Sequence, residues 1–179
     1  MSDIIKNLEE IFGTENVSVS EVDKLMYSFD ASQREGKTQV VVWPKNALQI
    51  QELIKYALNA NLDIVPRGGG TGLVGGCVPN NSIVVDVSKM NKIENINLKE
   101  KEVLVQAGLV IKDLNDELKE HNLFFPIIPS SHKICQIGGI IATNAAGIRA
   151  IHYGKTDKWI KEIQIINGNG DNLTIKDPT

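Results

Sequence analysis

Apolar positions along the chain fall into two periods, and the periods predict the elements. Ile4, Ile5, Leu8, Ile11 and Phe12 recur at helical spacing, so residues 2–12 predict a short helix. A polar stretch through residues 30–37 leads into a strand over 39–43, which Pro44 ends. Residues 46–61 place Ile50, Leu53, Ile54, Ala57 and Leu58 on one face of an amphipathic helix, and Asn46 with Gln49 has the form of a capping box. A short strand over 62–65, a glycine run and a compact Val/Ile strand over 82–87 follow. Two more strands are predicted at 92–97 and 102–107, then a helix over 111–121 that uses Ile111, Leu114 and Leu118. Residues 159–166 alternate, turn at Asn167-Gly-Asn-Gly-Asp171 and continue into 173–175, a hairpin signature. Strands mixed with helices in this order predict an α+β domain, without repeats or low-complexity linkers.

Six of the fifteen glycines fall within nine residues, in Pro66-Arg-Gly-Gly-Gly-Thr-Gly-Leu-Val-Gly-Gly76. Glycine reaches positive φ and carries no Cβ, so successive backbone N–H groups can converge on an anion, for which a pyrophosphate is the natural guest. Arg67 would add a charge and the Thr71 hydroxyl a donor. The competing reading is a mobile surface loop, but so many glycines are entropically costly unless the geometry needs them. Gly70-Thr-Gly72-Leu-Val-Gly75 satisfies G-x-G-x-x-G, yet the run continues into Cys77-Val-Pro-Asn-Asn81 and a strand, where a dinucleotide fingerprint would open a helix. No Lys-Ser/Thr follows the last glycine, so the Walker A pattern fails as well. The prediction is a phosphate-cradling loop between strands.

A second cluster joins Pro129-Ser130-Ser131 to Ile137-Gly138-Gly139-Ile-Ile-Ala142-Thr143-Asn144-Ala-Ala-Gly147. Small residues permit close approach of a flat aromatic, and Ser130, Ser131, Thr143 and Asn144 could hydrogen-bond its polar edge. A tightly packed glycine/alanine helix start is the alternative. His121, His132 and His152 each have a surface or packing reading that outweighs catalysis.

Composition narrows the function classes. The 179 residues are 42% apolar and 23% charged, ordinary usage for a globular chain. A net charge of −3 leaves no basic excess for a general nucleic-acid binder. No run approaches 18 apolar residues, so no membrane-spanning helix is expected. Residues 1–10 lack the basic start and apolar centre of a signal peptide. Cys77 and Cys135 are 58 positions apart with no Cys/His pairing, so neither a metal site nor a disulfide framework is expected. The expectation is a reduced, cytoplasmic protein.

The segment from Val65 to Pro79, the following Ile83-Val-Val-Asp-Val-Ser-Lys-Met-Asn-Lys-Ile93, the 137–147 motif and Tyr153-Gly-Lys-Thr156 resemble the FAD-linked oxidase family of vanillyl-alcohol oxidase, D-lactate dehydrogenase and the glycolate oxidase flavin subunit. The resemblance runs from about residue 39 to 175. It implies an α+β FAD-binding domain of the vanillyl-alcohol-oxidase type over 1–179, with sub-domains near 1–97 and 98–179 and the dinucleotide between them. It assigns the pyrophosphate to Pro66, Arg67, Gly68, Gly69, Gly70, Thr71, Gly72, Leu73, Gly75 and Gly76. The flavin side falls to Pro129, Ser130, Ser131, Ile137, Gly138, Gly139, Ala142, Thr143, Asn144 and Gly147. Members that attach FAD covalently place a histidine directly after the first glycines; Thr71 stands there, which implies non-covalent FAD. Three positions depart from the pattern: Ile128 replaces an acid, Ile140 an asparagine and Ala146 a glycine, each removing a polar group or adding bulk near the presumed cofactor.

The family's substrate domain has no counterpart here, so the chain is expected to be a C-terminally incomplete FAD domain or one piece of a split enzyme. The implied activity is oxidation of a 2-hydroxy acid such as glycolate or D-lactate by hydride transfer to flavin N5, with the catalytic residues outside this chain. The alternative is a non-catalytic cofactor-binding module, completed by a partner chain or self-associating through an unpaired sheet edge. A relative of the flavin-dependent reductase of peptidoglycan precursor synthesis is a third reading, ranked last because its glycine loop is less rich.

Overall fold

A computed structural model describes residues 2–177, which divide into two compact units. Among the described residues, the first comprises 2–89 with 164–174, and the second 90–163 with 175–177. The expected division near residue 97 would fall at the tip of a hairpin whose two strands pair with each other, and the break lies instead between Lys89 and Met90. The final Pro178 and Thr179 of the expected domain span lie outside the described residues, as does Met1.

The first unit is built on a four-stranded sheet. In chain order it holds α1 (Ser2–Phe12), β1 (Val17–Ser18), α2 (Glu21–Tyr27), β2 (Lys37–Val42), α3 (Ala47–Ala60), β3 (Ile64–Arg67) and β4 (Asn80–Asp86). The spatial order is β1-β2-β4-β3, with β2, β4 and β3 parallel and β1 antiparallel to β2. Parallel strands flanked on both sides are buried on both faces. Val40, Val41 and Val42 of β2 and Ser82 to Asp86 of β4 are accordingly all buried. Val40, Val42, Ile83 and Val85 share one face and pack against Leu8 and Phe12 of α1 and Leu53 of α3.

The cap of α3 forms one step away from the simple capping box. Asn46 Oδ1 accepts from Gln49 N–H (3.0 Å), whereas Gln49 Oε1 reaches back to the N–H of Lys45 (2.8 Å). Asn61 closes the helix in the left-handed region at φ 52°. An Asn46→Ala variant should lose about 1 kcal/mol of stability, read as a lower urea midpoint at unchanged slope.

A parallel pair needs a crossover of a dozen or so residues, normally a helix. Between β3 and β4 that connection is the glycine run itself, residues 68–79. Pro66 sits in β3 at the sheet edge, where its missing N–H costs no ladder bond.

In the second unit β5 (Ile93–Asn97) and β6 (Glu102–Val105) form an antiparallel hairpin, followed by α4 (Ile111–Lys119), α5 (Ile137–Ala142) and α6 (Ala150–Tyr153). Its core joins Leu109, Ile111, Leu114, Leu118, Ile127, Cys135, Ile137 and Ile140. Residues 164–174 of the first unit carry most of the late hairpin, in which β7 (Glu162–Ile166) and β8 (Asn172–Lys176) pair as its signature predicts, with Asn167 Oδ1 accepting from the N–H groups of Asn169 and Asp171 at 2.9 Å each. No helix among the described residues is long and apolar enough to cross a membrane.

Candidate functional site

The glycine loop leaves the carboxyl end of β3, the side of a parallel sheet at which ligands bind. Among the described residues, none of the backbone N–H groups from Gly69 to Gly76 donates to another protein atom. Backbone donors that stay unpaired in a half-buried loop call for water or an anion. Positive φ occurs at two places within the run, Gly70 (64°) and Gly75 (78°), rather than throughout. Gly72 and Gly76 face open space, where a Cβ would meet nothing within 4 Å. The Thr71 hydroxyl has no partner among the described residues and remains available. Leu73 and Val74 stand exposed at the loop tip. Pro66 and Arg67, expected in the loop, are the last two residues of β3, paired with Val85 and Asp86.

Arg67 is tied into the protein. Its Nη1 donates to the carbonyl of Phe29 (2.9 Å) and to Cys77 Sγ (3.7 Å), and its guanidinium lies 5.2 Å from the centre of the Tyr27 ring. Cys77 in turn donates to Asp30 Oδ2 (3.7 Å). Burial pushes the buried Asp30 carboxyl up, but bonds from the Ser32 hydroxyl and amide and from Cys77, with the nearby Arg67 charge, hold it below its ordinary value. Burial outweighs the Arg67 charge at Cys77, and with Asp30 it keeps that thiol protonated. The floor of this brace is Asp86, 6% exposed, which accepts from the Tyr27 hydroxyl (2.5 Å) and the Ser88 N–H (2.7 Å). Arg67 thus links β3 to the 27–30 segment.

That segment reads in the sequence as no more than a polar stretch. Phe29 and Glu35 form an isolated antiparallel bridge around Gln33 at φ 63°, and the turn they close leans on the glycine loop. Ala31 N–H donates to the carbonyl of Gly70 (3.0 Å), Gly36 packs against Pro79, and Arg34 Nη1 reaches the carbonyl of Val74 (3.4 Å).

In the second unit, α5 carries the second cluster. Gly138 is a packing glycine, since a Cβ there would stand 2.9 Å from that of Ala107. Gly147 is another, with the Ile128 backbone nitrogen 2.5 Å from a Cβ position. Ile137 and Ile140 are buried in the core. Ile140 therefore fills space in the interior. Thr143 Oγ1 donates back to the carbonyl of Gly139 (2.9 Å), and Asn144, at φ 44°, exchanges bonds of 3.1 Å with the carboxylate and N–H of Asp157. Both side chains have protein partners and both remain exposed. Ser130, Gly139 and Ala142 remain exposed, and Ser131 and Pro129 are half-buried. The Pro129 and Ser131 carbonyls hold the turn that follows, accepting from the N–H groups of His132 (3.0 Å) and of Ile134 and Cys135 (2.8 and 2.9 Å). His132 Nδ1 lies 3.2 Å from the Pro129 carbonyl. No His, Cys, Asp and Glu group suited to a metal ion occurs among the described residues.

Residues 38–176 match the family model described as the FAD binding domain. The chain is 33% identical over 171 residues to glycolate oxidase subunit GlcD of Bacillus subtilis, covering 94% of this chain and 36% of that protein. It is 33% identical over 150 residues to D-lactate dehydrogenase of Archaeoglobus fulgidus, covering 80% of this chain and 33% of that protein. The chain thus spans about a third of the length of these curated relatives. Among solved structures, alkyldihydroxyacetonephosphate synthase superposes over 100% of the chain and 36% of its own, with a TM-score of 0.90 at 19% identity. For 6-hydroxy-D-nicotine oxidase of Arthrobacter nicotinovorans the TM-score is 0.79 at 19% identity, over 90% of this chain and 35% of that one. At this identity the two structures establish the fold.

Proposed function

The chain belongs to the FAD-binding-domain family, and on that premise we propose that it is the FAD-holding part of an oxidoreductase acting on a 2-hydroxy acid such as glycolate or D-lactate. Its relatives are FAD-dependent oxidoreductases of hydroxy acids, and its fold is the mixed α+β fold of the vanillyl-alcohol-oxidase type. The observation that carries the reading is the run of unpaired N–H groups from Gly69 to Gly76. The residues present fit the cofactor: backbone donors and the free Thr71 hydroxyl would be open to a pyrophosphate, with no protein acceptor competing for them.

FAD, when bound, supplies a two-electron acceptor for the alcohol carbon. This chain's residues bind and orient. The loop amides would hold the pyrophosphate, Gly70 and Gly75 give the backbone its two left-handed turns, and the Asp30–Cys77–Arg67 brace fixes where the loop begins. Ser130, Ser131 and the exposed surface of Gly139 and Ala142 are the proposed flavin-side contacts. Gly138, Ile137 and Gly147 support that surface by packing, and Thr143 and Asn144 by fixing the end of α5. With Thr71 at the attachment position of the covalent members, FAD is held without a bond.

A second reading, a flavin-holding module completed by further strands, is favoured by β7 and β8. They form a two-stranded sheet, and β8 is exposed along its whole length. Such edges invite pairing with another segment.

The test is the absorption spectrum of the purified chain with added FAD, before and after denaturation. The expected result is flavin that stays with the folded protein through gel filtration and passes into the supernatant on unfolding. Flavin retained by the denatured chain would contradict non-covalent binding, and a chain that takes up no FAD would leave only the module completed elsewhere.

A further inference from the structure

Arg34 lies against the glycine run, its cation held by one hydrogen bond. Its Cδ stands 2.9 Å from where a Cβ on Gly75 would be, with Nη1 at 3.5 Å and Nε at 3.7 Å from the same point. Position 75 is constrained by φ 78°, and the end of the flexible arginine lies over it. The guanidinium makes a single contact, the 3.4 Å bond to the Val74 carbonyl, and no carboxylate pairs with it among the described residues. Four of its five N–H donors stay free, in the planar fork that suits phosphate oxygens. Arg67, by contrast, is held by the Phe29 carbonyl and the Tyr27 ring and is offset by Asp30.

We infer that Arg34, and not Arg67, is the cation that neutralises the pyrophosphate of the dinucleotide on the glycine loop. The inference rests on the FAD reading above. Position and freedom argue for it together. The Phe29–Glu35 turn is anchored by the Ala31 bond to Gly70 and by Gly36 against Pro79, so Arg34 is carried to the loop by backbone contacts and its own side chain is not needed for that anchoring. An exposed guanidinium next to unpaired backbone amides adds charge where the amides supply direction. The glycine loop alone supplies partial charges and no formal one.

The test is equilibrium titration with FAD, followed by quenching of flavin fluorescence, at low and at high salt, for the wild-type chain, Arg34→Met and Arg34→Lys. Arg34→Met should bind about tenfold more weakly at low salt, since a charge-assisted contact at a half-open site is worth about a factor of ten. The deficit should shrink at high salt, where the wild-type charge is screened, and Arg34→Lys should recover most of the affinity. Thermal melts without ligand should coincide for all three, because the side chain is exposed. Equal affinity of Arg34→Met and wild type, a deficit that salt leaves untouched, or an Arg34→Lys variant no better than Arg34→Met each overturns the inference while FAD binding by the wild type stands. A wild-type chain that binds no FAD overturns the underlying reading, and the inference with it.

Discussion

Gly36→Ala is expected to destabilise the first unit by about 2–4 kcal/mol, the cost of forcing an extra carbon into backbone that cannot yield. A Cβ at this position would stand 2.0 Å from the carbonyl oxygen of Pro79 and 2.8 Å from Val78 Cγ1. The same oxygen accepts from the N–H of Lys37 (2.9 Å), and Gly36 N–H itself donates to the Ser28 carbonyl (2.7 Å). Relief would have to move buried Pro79, and with it the last turn of the glycine loop and the entry to β4. At about 2–4 °C per kcal/mol for a chain of this size, the melting temperature should fall by roughly 5–15 °C. Gly76→Ala is the matched control, because a Cβ there meets nothing within 4 Å and φ is ordinary, so its melt should lie within a few degrees of wild type. A Gly36→Ala melt that overlays the control would show that the 29–36 turn does not press on the loop.

The contrast between these two glycines marks what could be read in the sequence. Density betrays the run from Gly68 to Gly76, whereas Gly36 stands alone and its necessity comes from a contact 43 positions away in the chain. Periodicity finds α3 and α4 because Leu53 and Ala57, and Ile111, Leu114 and Leu118, are buried on a single stripe. It misses α2, whose Val22, Leu25 and Met26 are exposed, so no buried stripe marks the helix. A local signal is present all the same: Ser20 accepts from the Asp23 N–H (3.1 Å), a serine cap with an acid three residues on. In the candidate site, the anion cradle is a backbone property and follows from composition. The protein partners of Arg67, Thr143 and Asn144 stay hidden in the sequence for a common reason. A polar side chain in a small-residue motif reads as free until its partner is known, and Phe29, Gly139 and Asp157 are supplied by turns and helix ends that no pattern in the sequence announces. Arg34 escapes notice for the converse reason, since its turn is closed by Gln33 in the left-handed region, a conformation the residue type does not advertise.

Tyr27→Phe should cost about 1–3 kcal/mol near neutral pH, because it leaves the Ser88 N–H as the remaining donor to the buried Asp86 carboxylate among the described side-chain bonds. The more telling signature is the alkaline limb. Burial first, and then the bond to and negative charge of Asp86, push the Tyr27 phenol up to about 12. An unfolded tyrosine titrates near 10, roughly the ordinary phenol value. The folded state therefore holds its proton after the unfolded chain has lost it. The stability this contributes is fully present below about pH 10 and is lost as pH rises towards about 12. Wild type should lose stability across that window while Tyr27→Phe, with no phenol to titrate, declines less, so the gap between them narrows. The half-exposed ring reduces the size of the change through solvent screening but not its sign. Urea midpoints of both proteins on either side of the window are the measurement, and a gap that stays constant would place the Tyr27 proton outside the Asp86 bond. The same ring carries the Arg67 guanidinium at 5.2 Å, and Arg67 closes β3 immediately before the glycine loop. Tyr27→Phe keeps that ring and leaves the Arg67 bond to the Phe29 carbonyl in place, so FAD affinity should stay near wild type, in contrast to the loss expected from Arg34→Met.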